Sequence, residues 1–241
     1  MKTLFVQNLW KAYGDFQAIK NASFSLSKGE VVGILGANGA GKSTTLECVL
    51  GTRKMDQGIV KILGMDPIRD RNKLFQKVGV QFQDGSYQEK IKVSEICEVT
   101  ASLYEKSLDW NHLLVGFGLE GKKKSFVSEL SGGLRQRLSI VLALIPDPEV
   151  VFLDELTTGL DPRARRDVWK SLLRLKEKGI SIVLTSHYMD EVEVLCDRIM
   201  ILKKGECIFR GRVAEAIAYS PYESLEDAYL WFTEEEENES I

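Results

Sequence analysis

The chain has 241 residues, 44% of them hydrophobic and 28% charged, enough to bury a sizeable core in one large domain or two small ones. Its 32 basic residues against 35 acidic leave a net charge of −3, which argues against a general nucleic-acid binder and points to no substrate. Gln7, Asn8 and Lys11 break the apolar start well short of a signal-peptide core, and the longest apolar run, residues 138–145, is far below the ~20 residues of a membrane span, so action at a membrane requires a partner.

In chain order, residues 4–8 and 16–26 read as extended segments punctuated by Gly14 and Gly29. Residues 30–35 form a continuous apolar run of the kind found in a buried parallel strand. A glycine-rich loop follows, then helical spacing of apolar residues over 43–50. Strand, glycine-rich turn and helix in that order make a nucleotide-binding βα unit. The loop, Gly36-Ala37-Asn38-Gly39-Ala40-Gly41-Lys42-Ser43, matches G-x-x-x-x-G-K-[ST] at every fixed position. Its glycines let backbone N–H groups turn inward around phosphates. Lys42 sets a cation against the β- and γ-phosphates of ATP, and the Ser43 hydroxyl is a ligand for Mg2+. Thr44 belongs to the same nucleotide-binding set. The glycine spacing is not G-x-G-x-x-G, which disfavours a dinucleotide-binding dehydrogenase.

Residues 78–82 read as the next buried strand, and from 83 to 150 the pattern turns helical, with apolar residues three or four apart over 93–114 and 134–145. This predicts a helical insert on an α/β core. Lys122-Lys123-Lys124, in its polar middle, reads as a solvated surface run. The strand at 150–153 ends in Asp154-Glu155. At the carboxyl end of a core strand Asp154 is placed to hold Mg2+, and Glu155 faces the γ-phosphate as base or orienter of the attacking water. Further buried strands are predicted at 180–185 and 199–202, and the acidic residues 234–241 lack the apolar content to fold. Cys48, Cys97, Cys196 and Cys207 form no Cys-x-x-Cys pair and read as buried, reduced thiols rather than a zinc site.

Between the loop and the carboxylate pair stands Leu130-Ser131-Gly132-Gly133-Leu134-Arg135-Gln136-Arg137. In that setting it resembles the signature segment of ATP-binding cassette (ABC) ATPases, and the order of motifs resembles that family along essentially the whole chain. The resemblance implies a single ABC domain: an α/β P-loop core of mainly parallel sheet over about 1–84 and 149–220, an N-terminal antiparallel β subdomain, and an α-helical subdomain over about 85–148. Tyr13 resembles the aromatic residue that stacks on adenine. Gln83 resembles the Q-loop glutamine, which touches Mg2+ and the attacking water, with Gln81 a nearby competitor for that place. Gly159-Leu160-Asp161 resembles the D-loop of the dimer interface, and Ser186-His187 the switch whose histidine contacts the γ-phosphate. Ser131, Gly132 and Gly133 would face ATP held by a partner subunit. Two departures stand out: Leu134 takes the place of the usual glutamine, and Leu156 that of a common proline.

The implied function is an ATP-binding and ATP-hydrolysing subunit of an ABC transporter, with Glu155, His187 and Lys42 as its catalytic residues. It would pair head to tail with a second copy or a homologous ATPase and drive a separate transmembrane permease from the cytoplasmic face of the membrane, without nucleic acid. Residues 224–230 resemble the ends of drug-, lipid- or polysaccharide-exporting subunits, and there is no room for the long regulatory domain of many importers, so export is expected over import. The alternative is a soluble ABC-type ATPase acting on nucleic acid or the ribosome. Chromosome-type members need a long coiled coil and ribosomal members usually carry two cassettes, features this chain lacks.

Overall fold

The computed structural model, which describes residues 2–82 and 87–234, opens with two long antiparallel strands, β1 (Lys2–Tyr13) and β2 (Phe16–Ser27). Central strand β3 (Val31–Leu35) leads into α1 (Lys42–Val49). Next come β4 (Gln57–Ile62), antiparallel to β1, the short α2 (Arg71–Leu74) and β5 (Val78–Gln81). Three helices follow, α3 (Val93–Ser102), α4 (Trp110–Gly116) and α5 (Gly132–Leu144). The chain then alternates β6 (Val150–Asp154), α6 (Pro162–Glu177), β7 (Ser181–Ser186), α7 (Met189–Leu195) and β8 (Arg198–Lys203). It closes with β9 (Glu206–Arg212), α8 (Val213–Tyr219) and α9 (Leu225–Thr233).

All nine strands join one sheet in the order β4-β1-β2-β9-β8-β3-β7-β6-β5. From β8 to β5 it is parallel, and every residue of β3, β6 and β7 is buried. Strands covered by helices on both faces are apolar throughout, hence the unbroken Val/Ile/Leu runs. The antiparallel β1, β2 and β4 form the other flank, joined through β9, which pairs with β2 at Lys20 and Glu206 and runs antiparallel to β8. One apolar cluster packs α3–α6 on the sheet, a second packs α1 and the antiparallel flank, and a third lies under α7–α9. The carboxyl ends of β3, β6 and β7 come level, with Leu35 opposite Ser186 and Asp154 opposite Thr185. Open parallel sheets bind ligands at that edge.

The fold departs from the sequence expectation at several elements. The helical pattern over 93–114 is two helices, because Asp109 caps a fresh start by accepting from the Asn111 N–H at 2.9 Å. Helix α5 begins at Gly132, ahead of the apolar spacing, because Ser131 caps it. Strands β4 and β9 and helices α6–α9 escaped the pattern reading. Cys48 and Cys97 are buried, with burial pushing their thiols up to about 11 and about 12, while Cys196 and Cys207 keep partial exposure. Lys122 and Lys124 are exposed, but Lys123 turns inward to donate to Asn111 Oδ1 at 2.7 Å. Among the described residues no helix is long and apolar enough to cross a membrane.

Candidate functional site

The turn from β3 into α1 carries the phosphate loop. Gly41 stands at the cap of α1 with φ +105°, and a Cβ there would lie 2.5 Å from the Ala18 carbonyl oxygen of β2. Only glycine lets the two backbones approach so closely. Lys42 folds back into its own loop, donating to Gly36 O at 2.9 Å and Ala37 O at 3.4 Å. Its Nζ also lies 3.1 Å from Glu155 Oε1, with the two side chains only 4% and 8% exposed.

Asp154 ends β6 at the level of this loop. Its Oδ1 accepts from the Thr185 hydroxyl at 2.5 Å and from the Ser43 hydroxyl at 3.4 Å. Burial pushes the Asp154 carboxyl above its usual range, against the pull of those two hydroxyls. A buried anion beside a hydroxyl oxygen is a donor set that suits a hard divalent cation such as Mg2+. Gln81 buttresses the strand end, its Oε1 accepting from the Asp154 N–H at 3.1 Å. Gln83 lies outside the described residues.

Glu155 adopts φ +47°, a left-handed conformation that costs of order 1 kcal/mol in a non-glycine residue. Thr185 holds it there, its hydroxyl accepting from the Glu155 N–H at 2.9 Å. One threonine thereby fixes both acidic residues. His187 follows β7, with Nδ1 3.8 Å from Glu155 Oε2. Its ring packs on Tyr188 at 4.2 Å between centroids.

One cleft of about 820 Å³ is lined by Asn38, Gly39 and Gly41 to Thr44 of the loop and by Tyr13, Phe16, Ala18, Glu155, Thr158 and His187; Gly36, Ala37, Ala40 and Asp154 are not among its lining residues. Lys11 Nζ and the Arg53 guanidinium both lie 5.3 Å from the Tyr13 ring centroid. Three cleft residues lie outside the sequence reading: Phe16, Ala18 and Thr158. Phe16 is 61% exposed and sits directly opposite Tyr13 across the Gly14-Asp15 turn, a placement that turn length encodes. Thr158 carries a buried hydroxyl with no hydrogen-bond partner among the described residues.

Ser131, Gly132, Gly133 and Asp161 do not line this cleft. Ser131 and Gly132 are exposed at the start of α5, where Ser131 Oγ accepts from the Leu134 N–H at 3.4 Å. Asp161 caps α6, accepting from the N–H groups of Ala164 at 2.9 Å and Arg163 at 3.0 Å. The Ala164 amide leads in holding its carboxyl below the usual range. Asp161 is thus a helix cap within its own chain.

A family model described as ABC transporter matches residues 19–158. The chain is similar to the Nod factor export ATP-binding protein I of Burkholderia orbicola, 39% identical over 211 residues that cover 85% of this chain and 69% of the relative. It is also 37% identical over 213 residues to the linearmycin resistance ATP-binding protein of Bacillus subtilis, covering 86% and 68%. Among solved structures it resembles an ATP binding subunit of an ABC transporter, with TM-score 0.88, 27% identity and coverage of 96% and 100%. A dimeric bacterial ABC transporter cassette superposes with TM-score 0.78 at 26% identity, covering 87% of this chain and 98% of that one.

Proposed function

The chain belongs to the ABC transporter family and is an ATP-hydrolysing subunit of a transporter; from that premise we propose that it powers export as one half of a head-to-tail pair. The observation that carries the pairing is a separation. One cleft gathers Lys42, Ser43, Glu155 and His187, while Ser131 and Gly132 stand exposed outside it. A helix start with free N–H groups and a hydroxyl suits a phosphate, and in this reading the phosphate is the γ-phosphate held by the partner. The dimeric cassette among its structural relatives supports that arrangement.

In the proposed cycle the amides of residues 36–44 cradle the phosphates and Tyr13, with Phe16 opposite, frames the base. Lys42 leaves Glu155 for the β- and γ-phosphates. Glu155, released, polarises the attacking water, and His187 contacts the γ-phosphate. Mg2+, when bound, would draw charge from the phosphate oxygens; Ser43 and Asp154 would hold it, with Gln83 assigned from its motif alone. Residues 85–148 act as a subdomain that, with Gln83, passes closure to a permease, and the chain sits peripherally on the cytoplasmic face. Export is supported by relatives whose names state Nod factor export and linearmycin resistance.

The pairing is tested by sedimentation of Glu155→Gln with MgATP. The variant should bind ATP without turnover and accumulate dimers, and adding Ser131→Arg should return it to monomers. Dimers that persist unchanged with Ser131→Arg would remove the signature segment from the interface.

A further inference from the structure

Outside the residues that line the cleft lies a buried carboxylate that the proposed mechanism does not use. Glu191, in the first turn of α7, is 2% exposed and makes no ion pair among the described residues. Both of its oxygens are nevertheless taken. Oε2 accepts from the Ser186 hydroxyl at 2.6 Å, and Oε1 accepts from the Trp169 indole N–H of α6 at 3.1 Å. The same Ser186 hydroxyl accepts from the Tyr188 N–H at 3.0 Å. Ser186 and Tyr188 are the residues on either side of His187, so this hydroxyl closes the turn that carries the histidine, and Glu191 fixes the hydroxyl.

A second arm reaches the same turn from the same helix. The Arg165 guanidinium lies 4.0 Å from the centroid of the Tyr188 ring, which packs against the His187 ring. Arg165 and Trp169 are four residues apart on α6 and so share one face. Among the described residues His187 has no short hydrogen bond that would fix its ring, its contact with Glu155 being 3.8 Å long. Its position is left to the turn and to Tyr188. Burying an acid is costly, and a position asking only for volume is filled at lower cost by an apolar residue. What the carboxylate adds is a short, charge-assisted bond of fixed direction.

We propose that Glu191 is a positioning residue, which together with the Arg165 and Trp169 face of α6 brackets the Ser186–Tyr188 turn and aims His187 at the γ-phosphate. The inference rests on the role given to His187 above. Because Asp161 caps α6, the bracket also ties the aim of the histidine to the segment that resembles the D-loop.

Glu191→Gln preserves volume while removing the charge, and Ser186→Ala removes only the bridging hydroxyl, so both leave the core filled. A misaimed group costs about ten- to a hundred-fold in rate. Each variant should therefore lower kcat about ten-fold and leave the Kd for ATP, measured by calorimetry, within about two-fold. The decisive readout is a double-mutant cycle: in a His187→Ala background neither substitution should lower kcat further, because there is no longer a histidine to aim. A purely structural role would give multiplying losses, and that result, or a Glu191→Gln with the parent kcat, overturns the inference while leaving the catalytic reading intact. A His187→Ala enzyme that turns over at the parent rate removes the role of His187 and this inference with it.

Discussion

The ion pair between Lys42 and Glu155 gives the sharpest test of how the cleft is held before nucleotide arrives. Nζ and Oε1 are 3.1 Å apart with side-chain exposures of 4% and 8%. At an effective permittivity of about 20 two unit charges at that distance attract by about 5 kcal/mol, most of which burial of the two ions takes back. Replacing Glu155 by glutamine keeps an acceptor for the ammonium group but leaves a buried cation whose other neighbours are the carbonyls of Gly36 and Ala37. Breaking one side of a buried pair costs about 3 kcal/mol, the low end applying because that acceptor survives. For a chain of this size each kcal/mol moves the melting temperature by about 2–4 °C. Nucleotide-free Glu155→Gln should therefore melt about 6–12 °C below the parent. Saturating MgATP should close most of that gap, since the triphosphate supplies the charge that the carboxylate did, and the variant should bind ATP more tightly because no ion pair has to be parted first. Thermal unfolding followed by circular dichroism, with and without MgATP, decides it. A nucleotide-free variant melting within about 2 °C of the parent, or ATP stabilising both proteins equally, would refute the reasoning.

Lys42→Ala should weaken ATP binding by about a hundred-fold or more, read by calorimetry, because the β- and γ-phosphates lose their one loop cation. Gly41→Ala should cost about 1–3 kcal/mol and lower ATP affinity as well, since its Cβ would meet the Ala18 carbonyl at 2.5 Å; Gly39→Ala, at φ +80° with nothing within 4 Å, should cost about 1 kcal/mol and serves as the control in the same melting assay. Burial pushes the Glu191 carboxyl above its usual range, against Ser186, Thr157, Trp169 and Arg165. Such a group destabilises the fold once ionised, so its cost sets in as pH rises from the ordinary carboxylate value of about 4 through the raised one. The melting temperature of Glu191→Gln should gain on the parent over that rise and then hold its gain; a flat difference would contradict the assignment.

The residues whose types are fixed by chemistry were the legible ones. A loop that cradles phosphates needs its glycines, its lysine and its hydroxyl at set spacings, and a strand buried on both faces announces itself by an unbroken apolar run. Gln57–Ile62, at the sheet edge, and Glu206–Arg212, inside it, escaped because strands of mixed burial carry no such run. The pattern over 93–114 hid its break because Asp109 caps α4 from within a polar stretch. Asp161-Pro162 is a helix start in plain view, yet a motif reading gives Asp161 to a partner-facing loop, and its capping bonds to Arg163 and Ala164 emerge only in the fold. Glu191 and Trp169 are 22 residues apart. Only the packing of α7 on α6 turns an ordinary acidic residue of a short helix into a buried bracket.

The same distinction between side chain and backbone bears on what Leu134 changes in the segment that resembles the signature. In the fold this residue offers two things: an N–H that donates to Ser131 Oγ at 3.4 Å, and a partly buried side chain packed on the cluster beneath α3–α6. The N–H is indifferent to residue type. By accepting it, the serine oxygen fills one acceptor position, and its own proton stays available to point away from α5. That is the direction from which a phosphate on a partner would approach in the proposed pair. The capping bond and the phosphate contact are then compatible rather than competing, and Ser131 is oriented for the second by making the first. Leucine in place of glutamine removes a side-chain amide from the rim and adds apolar anchorage to the helix start. The part of the motif that aims the serine is the main chain, which the substitution leaves in place.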